Sequence, residues 1–396
     1  MIGVLQNPEQ FSQILYQKMQ VINPAIADLE LFEFRYALVN LIPKSGWESI
    51  DVDEPKKIEE MVNSRDYYES IHLRPKMNEK PVMDEQIIHL TQVLFTGLVI
   101  DKYSSDWILN HFYFDLRGFY FLHRTQYYNT VIQNWLGGSP YRAFEPKQKK
   151  LNQLQAVGYQ AFKQANQEVD GCFIEMLKKN IQHIKRPFLI GIAGQTAAGK
   201  TEIVSRIQQK FSQENLSFTS LEIDHFLTDR DQREARGIDS LGKEALHFDF
   251  FIRSLKEIRQ GKKINIPQYD FISATSSHTL EGEMKPGCST VEITPADLIF
   301  IEGNFPFLYP EVAELIELKV VYLTDDEIRL KRKWKRDMDY RKKYDVTYFL
   351  NRYFREQFLM AESAYIPQME NCDLLVDTTR AEIWLTPSLK KIVDGN

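Results

Sequence analysis

The stretch GIAGQTAAGKTEI, residues 191–203, decides how this chain is read. From Gly194 to Thr201 it satisfies G-x-x-x-x-G-K-[ST], a loop that wraps anionic oxygens. The amides of Gly194, Gln195, Thr196, Ala197, Ala198 and Gly199 cradle phosphates, Lys200 meets the β and γ oxygens, and the Thr201 hydroxyl reaches Mg²⁺. At average residue frequencies a chance match in a chain this long arises about once in a hundred sequences. The flanks narrow the reading further. An apolar run, FLIGIA, precedes the loop as a strand, and TEIVSRIQQKF follows as an amphipathic helix whose N-terminal dipole faces the anion. The competing reading is a glycine turn that binds nothing.

Downstream of the loop, short apolar runs alternate with amphipathic helices. PFLIGIAG, LSFTSLEID, ADLIFIEG, LKVVYLT and CDLLVD read as five strands, several apolar throughout, as strands buried on both faces are. The predicted fold class is α/β, a doubly wound parallel sheet with helices on each side, which the resemblance given below makes P-loop kinase-like. Upstream, apolar residues recur at three and four spacing in FSQILYQKMQVI and DEQIIHLTQVLF, which predicts a mostly helical region. The expected division is a helical domain over 1–184 and a P-loop domain over 185–396. LGGSPYRAFEPKQKK, 136–150, has a connector's composition. A helix follows over about 151–183, with a possible break at Asp170-Gly171. HFYFDLRGFYFLHR, 111–124, carries His111 and His123 too far apart for a common helical ligand pair, and is read as core.

The 396 residues are 43% hydrophobic and 26% charged, with a net charge of −6. This is a globular balance with no global positive field to gather nucleic acid or coat an anionic membrane. IIHLTQVLFTGLVI, from Ile87, is too short and too polar to span a bilayer. MIGVLQNPEQ has no basic start followed by an apolar run, so a cytoplasmic chain is expected. Three separated cysteines suggest reduced structural thiols. The expected partner is a small-molecule hydroxyl acceptor, with no nucleic acid and no membrane; a homo-oligomer stays open.

A phosphate loop suits a GTPase, a motor or a kinase, and three later features choose among them. In LEIDHF, Asp224 ends the second strand, where adjacent strands share a crevice; it is a candidate to take a proton from an attacking hydroxyl, or a plain helix cap. In DLIFIEGNFPF, Glu302 ends a buried strand where Mg²⁺ or its water needs an anchor, unless its role is structural. In TDDEIRLKRKWKRDMDYRKKY, 324–344, Thr324 and Glu327 read as a capping box, and Arg329, Arg332 and Arg336 share one helix face. That face is a solvated or nucleic-acid surface if taken alone, and beside a phosphate loop a lid that clamps a nucleotide.

With these blocks in this order, about residues 186–380 resemble the uridine kinase and phosphoribulokinase family of P-loop kinases. SLKEIRQGKKINIPQYDF, 254–271, adds to the likeness. The resemblance implies ATP on the loop from Gly194 to Thr201, Mg²⁺ near Thr201 and Glu302, and Asp224 as catalytic base beside Lys200. It implies lid arginines at Arg332, Arg336 and Arg341. Tyr269 and Phe271 shape the acceptor pocket, and Asp239 matches the acid that holds ribose hydroxyls. Departures fall on the acceptor side. Ala274 stands where a base-reading histidine is typical, Leu227 replaces an aromatic, and Arg352 replaces a polar base contact; His278 is a substitute reader or a solvated loop residue. Losing hydrogen-bonding groups from a pocket removes the matching specificity by a large factor. The resemblance nonetheless keeps uridine or cytidine as the first expected acceptor, and these departures put a sugar phosphate, pantothenate or glycerate next. A non-catalytic, nucleotide-gated binding protein is the other reading.

Overall fold

The computed structural model describes residues 2–70, 76–77, 80–81, 83–116, 118–124, 136, 139–143, 167–181, 187–212, 216–238, 242–324, 329, 332–333, 336–337 and 361–395. They fall into two compact units, one drawn from residues 1–126 and the other from 127–342 and 360–396.

The first unit is largely helical, with its longest helices at Pro8–Ile22 and Glu85–Val99. Asn7 starts the former, its side chain accepting from the amides of Glu9 and Gln10 with Pro8 at the first position; Asp84 starts the latter, accepting from Gln86 and Ile87. The aromatic segment departs from the helical reading. It forms an antiparallel hairpin, Phe112–Asp115 against Tyr120–His123. Every strand residue is buried, so no alternation of polarity marks the hairpin in the sequence. Phe95 meets Phe114 and Phe121 at 5.9 and 5.6 Å between ring centres. His123 is buried in this core, which pushes its imidazole down to about 3, and His111 Nε2 lies 3.2 Å from Glu59 Oε1. Among the described residues, no helix is long and apolar enough to cross a membrane.

The second unit is a seven-stranded sheet between helices. In chain order it comprises β1 (Arg142–Ala143), α1 (Gln167–Ile181), β2 (Phe188–Ala193), α2 (Lys200–Phe211), β3 (Phe218–Glu222), α3 (Phe248–Arg259), β4 (Leu298–Gly303), β5 (Leu318–Leu323), β6 (Leu374–Asp377), β7 (Glu382–Leu385) and α4 (Pro387–Asp394). The sheet order is β1-β7-β6-β5-β2-β4-β3. The five strands expected from the sequence are the five parallel ones, and β7 and β1 close one edge antiparallel. One difference matters for the site: β3 does not adjoin the loop strand β2, because β4 lies between them.

Both faces of the sheet are covered. Phe188, Ile190 and Ile192 of β2 join one core with residues of α1, α2 and α4, while Leu189 and Ala193 join the other with Phe251, Leu255 and Ile258 of α3. Burial on both sides explains why these strands read as unbroken apolar runs. The expected division at 184/185 and the packing division at 126/127 differ by residues 127–184. Within that segment, β1 pairs with β7, and α1 lays Val169, Phe173, Ile174, Met176, Leu177 and Ile181 into the core under the sheet. Helix α1 also runs through Asp170-Gly171 without the expected break, since no side chain or backbone crowds Gly171.

Candidate functional site

The loop after β2 is held open by backbone geometry. Ala197 and Gly199 take positive φ angles of 63° and 104°. A Cβ on Gly194 would lie 2.5 Å from the Tyr322 carbonyl oxygen, so only glycine lets the loop leave β2 against β5. Gly199 caps α2 with no side-chain hydrogen bond, so the dipole and amides of the first turn face the loop without a built-in acceptor. Lys200 Nζ donates to the carbonyls of Gly194 and Gln195 at 2.7 and 3.1 Å. Burial pulls this amine down to about 8, against the opposing pull of Asp224 and Glu302; Arg336 and Arg329 lower it further. A buried lysine held by loop carbonyls, with arginines beside it, is a cation that could meet an anionic ligand.

Glu302 is the second-last residue of β4, beside the loop, and is buried. Its Oε2 accepts from Thr201 Oγ1 at 2.9 Å and its Oε1 from Ser220 Oγ at 3.1 Å. Burial and the neighbouring Glu222 push its carboxyl up, and Thr201, Lys200 and Ser220 restrain it. A carboxylate and a hydroxyl at hydrogen-bond distance from each other are a donor set that suits Mg²⁺. Asp224 follows β3 in the short turn Ile223–Phe226, where it is partly exposed and close enough to raise the pKa of Lys200.

Of the basic residues described in the stretch 324–344, Arg332 and Arg336 bond the loop. Arg329 is 1% exposed and its Nε donates to the Thr324 carbonyl at 2.9 Å. Arg332 Nη1 reaches the Ala197 carbonyl at 3.4 Å and Arg336 Nη2 the Thr196 hydroxyl at 3.1 Å. These three residues are therefore not a solvated stripe. Thr324 sends its hydroxyl to the Ala198 carbonyl at 2.8 Å and meets Thr378 Oγ1 at 2.6 Å. Glu327, the other half of the expected capping box, lies outside the described residues, as do Asp239, Arg341 and Arg352.

On the acceptor side, the rings of Tyr269 and Phe271 meet edge to face at 5.2 Å. The Tyr269 amide donates to His225 Nδ1 at 3.4 Å, which ties this wall to the turn carrying Asp224. Arg233 is buried and donates to the Tyr269 hydroxyl at 3.3 Å. Ala274 and Leu227 join the apolar core, Ala274 at a φ of 60°. His278 is not solvated: at 6% exposure it accepts or donates through Nδ1 to Ser277 Oγ at 2.8 Å and packs beside His247 and Phe250. Burial lowers both histidines, His247 to about 4.

Ser220 and Thr324 were not legible as site residues. Ser220 sits mid-strand with no motif around it, and Thr324 reads as a helix cap. Only the sheet brings the first to Glu302 and the second to the loop.

The sequence profile of the Phosphoribulokinase / Uridine kinase family matches residues 189–383. A uridine kinase of Limosilactobacillus reuteri (strain DSM 20016) is 30% identical over 164 residues, which are 40% of this chain and 69% of that protein. Uridine kinase-like protein 4 of Arabidopsis thaliana is 29% identical over 154 residues, 39% of this chain but 30% of that longer protein. Among solved structures, a possible uridine kinase from Bacillus stearothermophilus aligns with a TM-score of 0.37 at 18% identity, covering 51% of this chain and 96% of that one. The chain belongs to the phosphoribulokinase/uridine kinase family of kinases.

Proposed function

We propose that this chain transfers the γ-phosphate of ATP, with Mg²⁺, to a hydroxyl of a small metabolite. One observation carries the reading. Lys200, the Thr201–Glu302 pair and Asp224 gather at the carboxyl ends of β2, β4 and β3, close enough for Asp224 and Glu302 to act on the charge of Lys200. Open α/β sheets bind ligands at this end.

The loop from Gly194 to Thr201 holds the phosphates, and Thr201 with Glu302 holds the metal. ATP would supply the phosphoryl group, and Mg²⁺, when bound, would neutralise charge on the phosphates. Asp224 takes the proton of the acceptor hydroxyl as it attacks. Lys200, Arg332 and Arg336 face the charge that spreads over the transferring oxygens, where preformed donors cost no reorganisation. Arg341 is assigned to the same lid. Tyr269 and Phe271 form an acceptor wall, and Asp239 and Arg352 are assigned to acceptor contacts.

Uridine or cytidine is the first acceptor to test, because named relatives are uridine kinases. The buried apolar side chains of Ala274 and Leu227 favour keeping sugar phosphates, glycerate and pantothenate in the panel. The test is ADP release with Mg²⁺-ATP and each acceptor in turn. A kinase shows release that rises with one acceptor and saturates. Release that stays at the acceptor-free background with every compound instead supports a protein that binds ATP without transferring phosphate.

A further inference from the structure

The family match begins at residue 189, yet a buried carboxylate upstream of it bonds the helix that follows the loop and the strand beside it. Asp170, in α1, is 4% exposed. A charge so placed needs partners, and among the described residues it meets one on each of two other elements. Arg206 of α2 pairs with Asp170 Oδ2 through Nη1, and its other terminal nitrogen holds Glu202 in the first turn of the same helix at 2.8 Å. The Tyr322 hydroxyl of β5 donates to Asp170 Oδ1.

Both partners belong to the loop's support. Helix α2 begins at Lys200, so its orientation aims the amides and the lysine. Tyr322 lines the loop at both glycines. Its carbonyl faces Gly194, and its ring would touch a Cβ on Gly199 at 3.6 Å, as would Arg332 Nη1. One carboxylate thus fastens the helix that starts the site to the strand that backs it.

We infer that Asp170 is a positioning residue for the nucleotide, setting α2 against β5 so that the phosphate loop is preformed. It touches no ligand and acts through Arg206 and Tyr322. The inference rests on the nucleotide-binding reading of the loop, and the experiment separates the two.

Affinity for a non-hydrolysable ATP analogue with Mg²⁺ is measured by calorimetry on the full chain and on Asp170→Asn, Tyr322→Phe, the double variant and Lys200→Ala, with melting temperatures alongside. Asp170→Asn raises the Kd about tenfold, the low end for removing a residue that orients direct ligands. Tyr322→Phe raises it in the same direction, and the double variant falls short of the product of the two, as coupled sites do. Lys200→Ala that binds like the parent removes the nucleotide reading itself. Weak binding by Lys200→Ala, with parent-like Kd for Asp170→Asn and Tyr322→Phe, overturns the positioning role alone. So does a lowered melting temperature with unchanged Kd. Should Asp170→Asn not fold, Tyr322→Phe, which deletes one hydroxyl, decides.

Discussion

Lys200 shows how far one side chain's chemistry is set by its enclosure. Its amine is pulled down to about 8 by burial, whereas in the unfolded chain it titrates near 10.5. Between those values the unfolded chain keeps a proton that the folded chain has released, so the lysine's contribution makes stability rise with pH across that window. The penalty is fully present below about 8. Bound phosphates favour the ammonium. Nucleotide binding at pH 8.5 is therefore expected to take up part of a proton at Lys200, and affinity falls as pH rises through about 8. Calorimetric titration at pH 8.5 in two buffers of different ionisation enthalpy reads the uptake directly; identical heats would contradict it. On the proposed reading, Asp224 bears on chemistry rather than on binding. Asp224→Asn keeps the shape of the turn and loses the base, so kcat drops about 10²–10⁴-fold. The Kd for ATP stays close to that of the parent, and paired turnover and binding measurements check both halves.

Among the elements, helix α1 was only half legible. Its apolar spacing announces a helix, but Asp170-Gly171 suggests an interruption because glycine is a poor helix former and aspartate favours turns. In the fold, Asp170 is turned inward to Arg206 and Tyr322, and Gly171 is exposed, with nothing within 4 Å of where a Cβ would stand. Gly171→Ala is thus expected to stabilise the chain by about 0.5–1 kcal/mol, since alanine fits and has less chain entropy to lose. Urea unfolding reads the change, and a loss of stability would contradict the helix register. The basic helix teaches the converse. Its spacing places Arg329, Arg332 and Arg336 on one face but leaves open what that face meets. The bonds of Arg332 and Arg336 to Ala197 and Thr196 answer that.

For the whole molecule, the expected boundary at 184/185 follows the change from helical to strand-like pattern, and the packing boundary follows buried contacts. Helix α1 contributes six buried apolar side chains, Val169, Phe173, Ile174, Met176, Leu177 and Ile181, to the core under the sheet. Each contributes about 1.5–3 kcal/mol when fully buried, so losing all six removes an amount on the order of a domain's whole stability of about 5–15 kcal/mol. A fragment of residues 185–396 is expected to be unfolded or aggregated, while one of residues 127–396 melts cooperatively. Circular dichroism melts of the two fragments check this, and a stable 185–396 fragment would restore the boundary at 184/185.

Local pattern by itself determined the glycine-lysine loop, the five parallel strands, Glu302 near the end of its strand and Asp224 just beyond the end of its own. A phosphate loop needs glycines and a lysine at fixed spacing, and a strand covered on both faces needs an unbroken apolar run. Tertiary structure alone decided that Ser220 and Thr201 share Glu302, that Thr324 bonds the Ala198 carbonyl, that the aromatic segment is a hairpin, and that Asp170 meets Arg206 and Tyr322. Those pairings join residues tens to more than a hundred positions apart or sit where both faces are buried. Sequence periodicity reports only which side of an element is apolar, and the partner on the other side is chosen when the sheet and helices close around it.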